Sequence, residues 1–340
     1  MKGRVIVLDH LGDRQAAALM VDGQLDDLLV ETDAPAPGTI YRAVAERPVK
    51  GQGGLFLRTP DGAAYLRQAK GIAQGEVLSV QVTGFGEPGK AIPVTTRVLF
   101  KSRFAIITPD APGLNISRRI KDDDLRDTLL ELAHEGMEGS EMGLILRSSC
   151  AEADPDDVSA DIADMRAMAE TVMADDSTTP EVLLRGDDPW QLAWREWSAP
   201  ADVAQEPGVF ETHGVLDALD AARASHIALG AQASMYVEAT RALIAVDVNT
   251  GADGSFAAGL KANIAAAKAL PRALRVRGLG GQITMDLAPM PKKERRSFEN
   301  ALRAAFRGDD VETVLAGWTP LGHYELQRKR ARLPLSEVLT

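Results

Sequence analysis

Residues 243–251 read Leu-Ile-Ala-Val-Asp-Val-Asn-Thr-Gly, an apolar strand pattern that ends in Asp247 and Asn249. Residues 280–286, Gly-Gly-Gln-Ile-Thr-Met-Asp, give a second such pattern that ends in Asp286. Pairing of the two strands would bring the carboxylates together, with Asn249 on the same side of the pleat as Asp247. Oxygen ligands of this kind suit Mg²⁺, and the layout is typical of phosphodiester cleavage. Asp and Asn before Gly also begin ordinary turns, so both interpretations stand at this point.

Five segments resemble, in the same order, those of the bacterial ribonuclease E/G endoribonucleases. Residues 246–250 are similar to the family's Asp-x-Asn-Ser/Thr motif. Residues 274–283 resemble its Arg-x-Arg-x-Leu-Gly-Gly-x-Ile strand, which leads to the other metal-ligand aspartate. Residues 113–120 are similar to Gly-Ile-Ser-Arg-Arg-Ile, 142–148 to Met-Gly-Leu-Ile-Val/Ile-Arg-Thr, and 321–330 to Leu-Gly-Leu-x-Glu-Met-Thr-Arg-Lys-Arg. The resemblance therefore extends over most of the chain.

The resemblance implies a Mg²⁺-dependent endoribonuclease that cleaves single-stranded RNA by metal-activated water, with one Mg²⁺ in each active site. Asp247 and Asp286 would hold the metal, and Asn249 would orient the scissile phosphate. Two departures from the family pattern are present. Pro289 replaces a second acid, and residues 251–254, Gly-Ala-Asp-Gly, differ from the usual residues after the catalytic motif. Neither change removes a principal ligand, so we expect activity to survive.

The formal net charge of −11 argues against simple charge-driven binding of nucleic acid. Basic residues nevertheless concentrate in two places. They are Arg272, Arg275, Arg277, Lys292, Lys293, Arg295 and Arg296 on either side of Asp286, and Arg328, Lys329, Arg330 and Arg332 near the end of the chain. We expect an RNA track here. The residues expected to contact RNA are Arg275, Arg277, Arg328, Lys329 and Arg330, with Arg118 and Arg119 from the earlier motif. Solvated helix faces are the alternative.

The family resemblance implies an α/β fold of several subdomains. Residues 1–37 would begin an RNase H-like subdomain, which residues 186–233 would complete in shortened form. Residues 38–100 would form an inserted OB-fold RNA-binding barrel, in keeping with short apolar runs between Gly-rich turns. Residues 101–185 would form a 5′-sensor-like region, and residues 234–340 a DNase I-like catalytic domain.

Within the expected barrel, Phe56 and Tyr65 lie where the resemblance places base-stacking aromatic residues. Lys90 lies where it places a phosphate-contacting lysine. The surrounding strand residues match weakly, so burial of both rings in the barrel core is an equal alternative.

Two residues are candidates for a 5′-phosphate sensor. Arg147 and Ser148 lie where the family uses Arg and Thr to hold a 5′-monophosphate, a dianion that suits a planar guanidinium. Lys101 and Ala105 replace the Gly and Val that complete this pocket in the family. A purely structural role for Arg147 is therefore the alternative, and we expect little preference for a 5′-monophosphate.

An aromatic stripe is formed by Trp190, Trp194 and Trp197, at spacings of one helical turn on a helix that would open at Asp188-Pro189. We expect it to pack as core against the N-terminal strands rather than to stack on bases. The histidines nearest to the catalytic segment are His213 and His226. We expect both to be helix-cap or surface residues rather than general bases.

Composition limits the class of protein. The chain has 340 residues, of which 45% are hydrophobic and 26% charged, enough for two or three compact units. No apolar run is long enough to span a membrane and the N-terminus lacks a signal-peptide pattern, so we expect a cytoplasmic protein. The lone Cys150 cannot form an internal disulfide and is expected to be a small buried hydrophobe.

The Cys-x-x-Cys zinc-link of many relatives is absent, so we expect neither structural zinc nor a zinc-linked dimer, and the oligomeric state stays open. Two functions of other classes remain open beside endoribonuclease activity. One is a non-catalytic RNA-binding protein on the same scaffold, which the acidic balance and the loosely matching barrel support and the intact Asp247, Asn249 and Asp286 argue against. The other is a ribosome-assembly factor that uses the fold for docking.

Overall fold

The computed structural model describes residues 3–46, 53–67, 69–87, 89–230 and 232–339. The chain divides into two compact units. The first consists of residues 1–31 and 201–340, and the second consists of residues 32–200. Each unit is a mixture of strands and helices, which confirms the α/β class. Within the described residues, no helix is both long enough and apolar enough to cross a membrane.

A small sheet opens the first unit. Strands β1 (Arg4–Leu11), β2 (Arg14–Val21) and β3 (Gln24–Val30) form an antiparallel meander. The turn between β2 and β3 is made by Asp22 and Gly23, both with positive φ, as a two-residue hairpin turn requires. The tight turn keeps β2 and β3 paired over their length.

The second unit begins with a closed barrel. Its strands are β4 (Ile40–Ala45), β5 (Leu55–Thr59), β6 (Gly62–Leu66), β7 (Val77–Val82) and β8 (Ile92–Thr95). They pair in the order β4-β5-β6-β8-β7, and β7 pairs with β4 to close the ring. Buried residues such as Tyr41, Leu57 and Val80 fill the interior. A five-stranded closed barrel is consistent with an OB-like subdomain.

A smaller sheet and three helices complete the second unit. The sheet contains β9 (Phe100–Lys101), β10 (Ala105–Thr108), β11 (Leu114–Ile116) and β12 (Gly143–Leu146). Helices α1 (Asp123–Gly136) and α2 (Pro155–Met173) share its apolar core. A 3-10 helix covers Ser148–Glu152, strand β13 (Glu181–Leu184) joins β4, and helix α3 spans Pro189–Glu196. Cys150 is buried, as expected.

The tryptophan stripe of α3 does not pack as a single core face. Trp197 is buried, whereas the Trp194 side chain is 62% exposed. The Arg103 guanidinium lies 3.9 Å from the centre of the Trp194 ring, in a cation–π contact. The prediction that the whole stripe is core was therefore wrong at Trp194, because helical spacing alone does not show how far the covering layer extends.

The chain returns to the first unit through β14 (Asp202–Ala204), which pairs in parallel with β1. Two short helices follow, α4 (Val209–Thr212) and α5 (Val215–Arg223). They pack on the N-terminal strands together with α8 (Leu335–Val338), through buried side chains that include Phe210, Leu219 and Leu335. This packing gives the small sheet its own core.

A six-stranded sheet forms the rest of the first unit. Its strands are β15 (His226–Ala228), β16 (Ser234–Ala239), β17 (Ile244–Asn249), β18 (Gly281–Asp286), β19 (Thr313–Trp318) and β20 (Tyr324–Arg328). The strand order is β15-β16-β17-β18-β20-β19, and only β17 and β18 run parallel within it. Helix α6 (Phe256–Val276) is the crossover between these two strands, and α7 (Arg295–Arg307) follows a 3-10 turn at Lys292–Glu294.

The six-stranded sheet is buried on one face and solvated on the other. Residues of β17 alternate strictly, with Val246 and Val248 buried and Asp247 and Asn249 exposed. The buried face shares one core with α6 and α7, which contribute side chains such as Leu270 and Phe298. Alternation of this kind is typical of a sheet with a single covered face. The polar residues at the ends of β17 and β18 therefore point to solvent.

A buried ionic network ties the sheet to the N-terminal strands. Asp309, whose side chain has no exposed surface, pairs with both Arg275 and Arg328. Arg275 also pairs with Asp26 at 2.9 Å. Burial opposes the charge on Arg275, but the three nearby acids outweigh it and raise the pKa of the guanidinium above its ordinary value. Asp309 is therefore shared by two arginines, the buried Arg328 and the partly buried Arg275, and Asp26 supplies a second carboxylate to Arg275.

We predict that Asp309→Asn lowers the free energy of unfolding by about 3–5 kcal/mol, because it leaves the Arg328 guanidinium buried without a carboxylate. Urea denaturation followed by circular dichroism measures this change. Asp220→Asn is the matched control, since the Asp220 side chain is 81% exposed, and it should shift the free energy by less than about 0.5 kcal/mol. A loss below about 1 kcal/mol for Asp309→Asn would contradict the role we give to this pair.

Candidate active site

Asp247 and Asp286 are direct neighbours in the six-stranded sheet. The parallel register of β17 and β18 pairs Asp247 with Asp286, and both side chains are exposed. The Asn249 side chain, two residues further along β17, donates a hydrogen bond from Nδ2 to Oδ2 of Asp247 at 2.8 Å. The three residues singled out from the sequence therefore lie together at the carboxyl ends of two parallel strands, where α/β sheets commonly bind ligands.

The donor set suits a hard divalent cation. Mg²⁺ is usually held by one or two carboxylates, while waters and substrate phosphates complete its octahedron. Among the described residues, no group of three or more His, Cys, Asp or Glu side chains is arranged to enclose a metal. Two exposed carboxylates without such a group fit Mg²⁺ with open coordination positions, and they do not resemble a closed structural site.

Helix α6 fixes the segment that follows Asp286 in the sequence. Asn263, which is fully buried in α6, donates to the carbonyl of Ala288 and accepts from its N–H, at 2.9 and 3.0 Å. A Cβ on Gly259, one turn earlier, would lie 2.0 Å from the carbonyl oxygen of Pro289. The helix therefore approaches the loop after β18 closely, and that contact holds the segment containing Pro289, the residue that departs from the family pattern.

The turn after Asn249 also depends on a glycine. Gly251 has φ near +72°, and a Cβ there would lie 2.7 Å from the carbonyl oxygen of Gln232. Both the backbone conformation and the lack of space exclude a larger residue. The end of β17 is therefore constrained on the Asn249 side as well.

His323 is a site residue that the sequence analysis did not select. Its Nδ1 lies 3.5 Å from Oδ1 of Asp286, and the residue immediately precedes β20, the other neighbour of β18. The signal was available, because His323 stands where the similar family segment has Leu. Its proximity to Asp286 arises from strand pairing and so could not be read from sequence spacing alone.

The expected RNA-contacting residues differ in how far the protein covers them. Arg275 and Arg328 are held by Asp309 inside the first unit, and Arg277 donates to the carbonyls of Ala273 and Ala224. The remaining candidates are Lys329, which is exposed, Arg330, whose guanidinium lies against Gly281, and Arg118 and Arg119, which are exposed in the second unit.

Arg295 is a further cation close to the site. Its guanidinium lies 4.0 Å from the centre of the Trp318 ring, and a Cβ on Gly322 would lie 3.6 Å from its Nη2. Gly322 directly precedes His323, so Trp318 holds this charge on the Asp286 side of the site. Arg295 belongs to the basic cluster identified from the sequence.

The aromatic pair of the barrel lies outside its core. Phe56 and Tyr65 are register partners on β5 and β6, with ring centres 5.3 Å apart, and both are part-exposed. The buried residues on these strands are the alternating ones, such as Leu57 and Ala64. Lys90 forms an ion pair with Glu87 and is mostly exposed. The core alternative for the two rings is thus weakened.

Of the two candidate 5′-sensor residues, Arg147 is part of an internal network. Arg147 pairs with Glu196 at 2.6 Å and donates to the carbonyls of Ser102 and Arg195. Ser148 begins the 3-10 helix that follows β12. Burial opposes the charge on Glu196, but Arg147 and Arg195 outweigh it and hold the pKa of this carboxyl below its ordinary value.

The segments that contain these site residues also match a known protein family. The model of the ribonuclease E/G family matches residues 100–202 and 199–331. These ranges cover more than half of the chain and include β17 and β18. The chain belongs to the ribonuclease E/G family. The assignment expected from the five motifs is confirmed.

Several ribonuclease E/G family members are similar over most of this chain. Ribonuclease G of Salmonella typhimurium (strain SL1344) is 26% identical, over 79% of this chain and 62% of the relative. Ribonuclease G of Escherichia coli (strain K12) is 25% identical with the same coverage. Ribonuclease E of Nostoc sp. (strain PCC 7120) is 25% identical over 97% of this chain and 56% of the relative. The chain thus spans about three fifths of the length of these curated relatives.

The pKa shift of Glu196 predicts a pH-dependent contribution to stability. A carboxyl whose folded-state pKa is lowered stabilises the fold above its ordinary pKa of about 4.3 and loses that contribution as the pH falls through the folded value. We therefore expect Glu196→Gln to be less stable than the parent protein at about pH 7, and the difference to shrink towards about pH 3. Urea denaturation at a series of pH values measures it.

The Arg147→Gln background provides the control for this prediction. When the Arg147 guanidinium is absent, the pH-dependent part of the stability loss caused by Glu196→Gln should be smaller, because only Arg195 remains to stabilise the carboxylate. A difference that is constant with pH would contradict the ion-pair assignment.

Proposed function

We propose that this chain is a Mg²⁺-dependent endoribonuclease that cleaves single-stranded RNA. The observation that supports this most directly is the register pairing of Asp247 with Asp286, with Asn249 bonded to the first of them, in a member of the ribonuclease E/G family. An RNA-binding protein without catalysis would gain nothing from two adjacent carboxylates, since they repel the phosphate backbone unless a cation lies between. The adjacent carboxylates therefore favour an endoribonuclease over the non-catalytic alternatives.

In this proposal Asp247 and Asp286 would hold one Mg²⁺ through their carboxylates. The bound cation would supply Lewis-acid chemistry, polarising the phosphate and acidifying a water molecule. The amide of Asn249 orients the Asp247 carboxylate through its hydrogen bond and has a carbonyl oxygen left for a further contact. No side-chain nucleophile is required.

The contacts to the RNA backbone are proposed for the accessible cations only. On the first unit these are Arg295, Lys329 and Arg330, and on the second unit Arg118, Arg119 and Lys90. Phe56 and Tyr65 would stack on bases at the barrel surface. We omit Arg275 and Arg328 from the track, because their ion pairs with Asp309 hold them inside the first unit, whereas Lys90 is mostly exposed despite its ion pair with Glu87. Arg277 is omitted as well, because it donates to the carbonyls of Ala273 and Ala224.

The test of the proposal is cleavage of a 5′-labelled, unstructured RNA. We expect internal cuts in Mg²⁺ that disappear with EDTA. Asp247→Asn and Asp286→Asn should each lower the cleavage rate by at least about a hundredfold while RNA affinity persists, because each removes a ligand carboxylate and no phosphate contact. Gel analysis of the products gives the rate, and fluorescence anisotropy gives the affinity.

Glu238→Gln is the matched control for the two aspartate variants, since Glu238 is an exposed acid on the neighbouring strand β16. It should cleave at close to the parent rate. A cleavage rate close to that of the parent in either aspartate variant would contradict the assignment of Asp247 and Asp286 as metal ligands. Binding without cleavage under every divalent metal would favour the non-catalytic alternative.

A separate prediction concerns the 5′ end of the substrate. Because Glu196 and two carbonyls occupy the Arg147 guanidinium, we expect little recognition of a terminal phosphate. Rates for the same RNA carrying a 5′-monophosphate or a 5′-hydroxyl should differ by less than about threefold, which is under about 1 kcal/mol. A tenfold preference that Arg147→Ala abolishes would instead establish a working sensor.

A further inference from the structure

The pairing registers place five side chains in one row across the six-stranded sheet. His226 pairs with Tyr236, Tyr236 with Asp247, and Asp247 with Asp286. His323 lies beyond Asp286 at the start of β20. Because side chains of register partners point to the same face, this row lies on the solvated face of the sheet. The two carboxylates thus have an aromatic side chain on one flank and a histidine on the other.

Tyr236 is exposed where nothing in the fold requires an aromatic residue. Its side chain is 37% exposed, although its strand neighbours Met235 and Val237 are buried in the core. The other residues of β16 on the same face are polar, Ser234 and Glu238. An aromatic ring that has no apolar cluster to join on its own face offers that surface to a ligand.

The ring of Tyr236 is held in a defined orientation. The His226 ring meets it edge to face, with centres 5.2 Å apart and an interplanar angle of 64°. Such pairs favour a fixed geometry and leave a face of the second ring uncovered. The side chain directly across from Tyr236 is Asp247, and Cβ atoms of opposed residues in antiparallel strands are about 4.5–5.5 Å apart.

We propose that Tyr236, supported by His226, is the stacking platform for the nucleobase beside the scissile phosphate. This inference rests on the proposed endoribonuclease function and deepens it. A phosphate held through the proposed Mg²⁺ at Asp247 and Asp286 would bring one neighbouring nucleotide next to Tyr236, and every base has a π-face that an aromatic ring can accept. Tyr236 would therefore be a positioning residue that sets where the RNA is cut without requiring a particular base.

The experiment combines side-chain variants with RNAs that lack one base. Oligonucleotides of one sequence carry a single abasic residue, placed in turn at each position around the mapped cleavage site. For the parent protein we expect kcat/KM to fall about tenfold when the abasic residue occupies one position adjacent to the cut, and to change little elsewhere. Tyr236→Ala should lose about the same factor on intact RNA and show no further loss with that abasic RNA.

Two conservative variants separate stacking from a structural role. Tyr236→Phe keeps the ring and should retain the parent pattern, whereas Tyr236→Leu keeps apolar bulk and should behave like Tyr236→Ala. Val314→Ala is the control, because Val314 is an exposed apolar side chain on the same face of the sheet, at the edge strand β19. It should leave both the rate and the abasic profile unchanged. Thermal unfolding of each variant identifies any that fail to fold.

The outcomes that overturn the proposal are distinct from failure of the proposed function. A Tyr236→Ala protein that cleaves like the parent, or that loses the same factor on every RNA including the abasic ones, excludes the platform. If the parent itself cleaves no RNA in Mg²⁺, the proposed function fails instead. Anisotropy with the same RNAs in EDTA then tests stacking alone, and an equal affinity of parent and Tyr236→Ala for intact RNA would exclude it.

Discussion

The parallel pairing of β17 with β18 is the interaction on which the rest of the first unit depends. It places Asp247 beside Asp286, and adjacent strands are only about 4.8 Å apart, so the two carboxylates repel each other in the free protein. The buried face of the same strands opposes that repulsion, because Val246, Ile283 and Met285 pack into one core with α6 and α7. The favourable packing of the apolar face therefore offsets the repulsion between the two carboxylates on the polar face.

Helix α6 enforces this pairing at both of its ends. Near its start, Gly259 and Asn263 hold the loop that follows Asp286. Near its end, Arg275 is fixed by Asp26 and Asp309. A crossover held at both ends limits sliding of β18 along β17, and a slip of one residue would turn Asp286 towards the core. The ionic network is thus distant from the carboxylates in sequence and yet contributes to their register.

Local patterns in the sequence predicted the elements well but not the partners of individual side chains. The apolar runs that end in Asp247 and Asp286 are β17 and β18. The motif thus located the carboxylates. The engaged state of Arg275 and Arg328 escaped prediction, because their partner Asp309 is distant from Arg275 in sequence and nothing local marks it as buried. Tyr236 and His323 escaped for the same reason, since their proximity to the aspartates follows from register.

These ion pairs change what the acidic net charge implies for RNA binding. Arginines that a sequence-based count treats as available for phosphate, such as Arg147 and Arg275, are neutralised inside the protein. The remaining cations are outnumbered by acids, since the chain has 38 Lys and Arg against 49 Asp and Glu, and each phosphate contact would release only about one counterion on binding RNA. Under the proposed function, net charge would therefore oppose the binding of RNA rather than supply its affinity. Aromatic surfaces such as the Phe56–Tyr65 pair and Tyr236 would then supply a larger share, and their contribution persists at salt concentrations that screen the phosphate contacts.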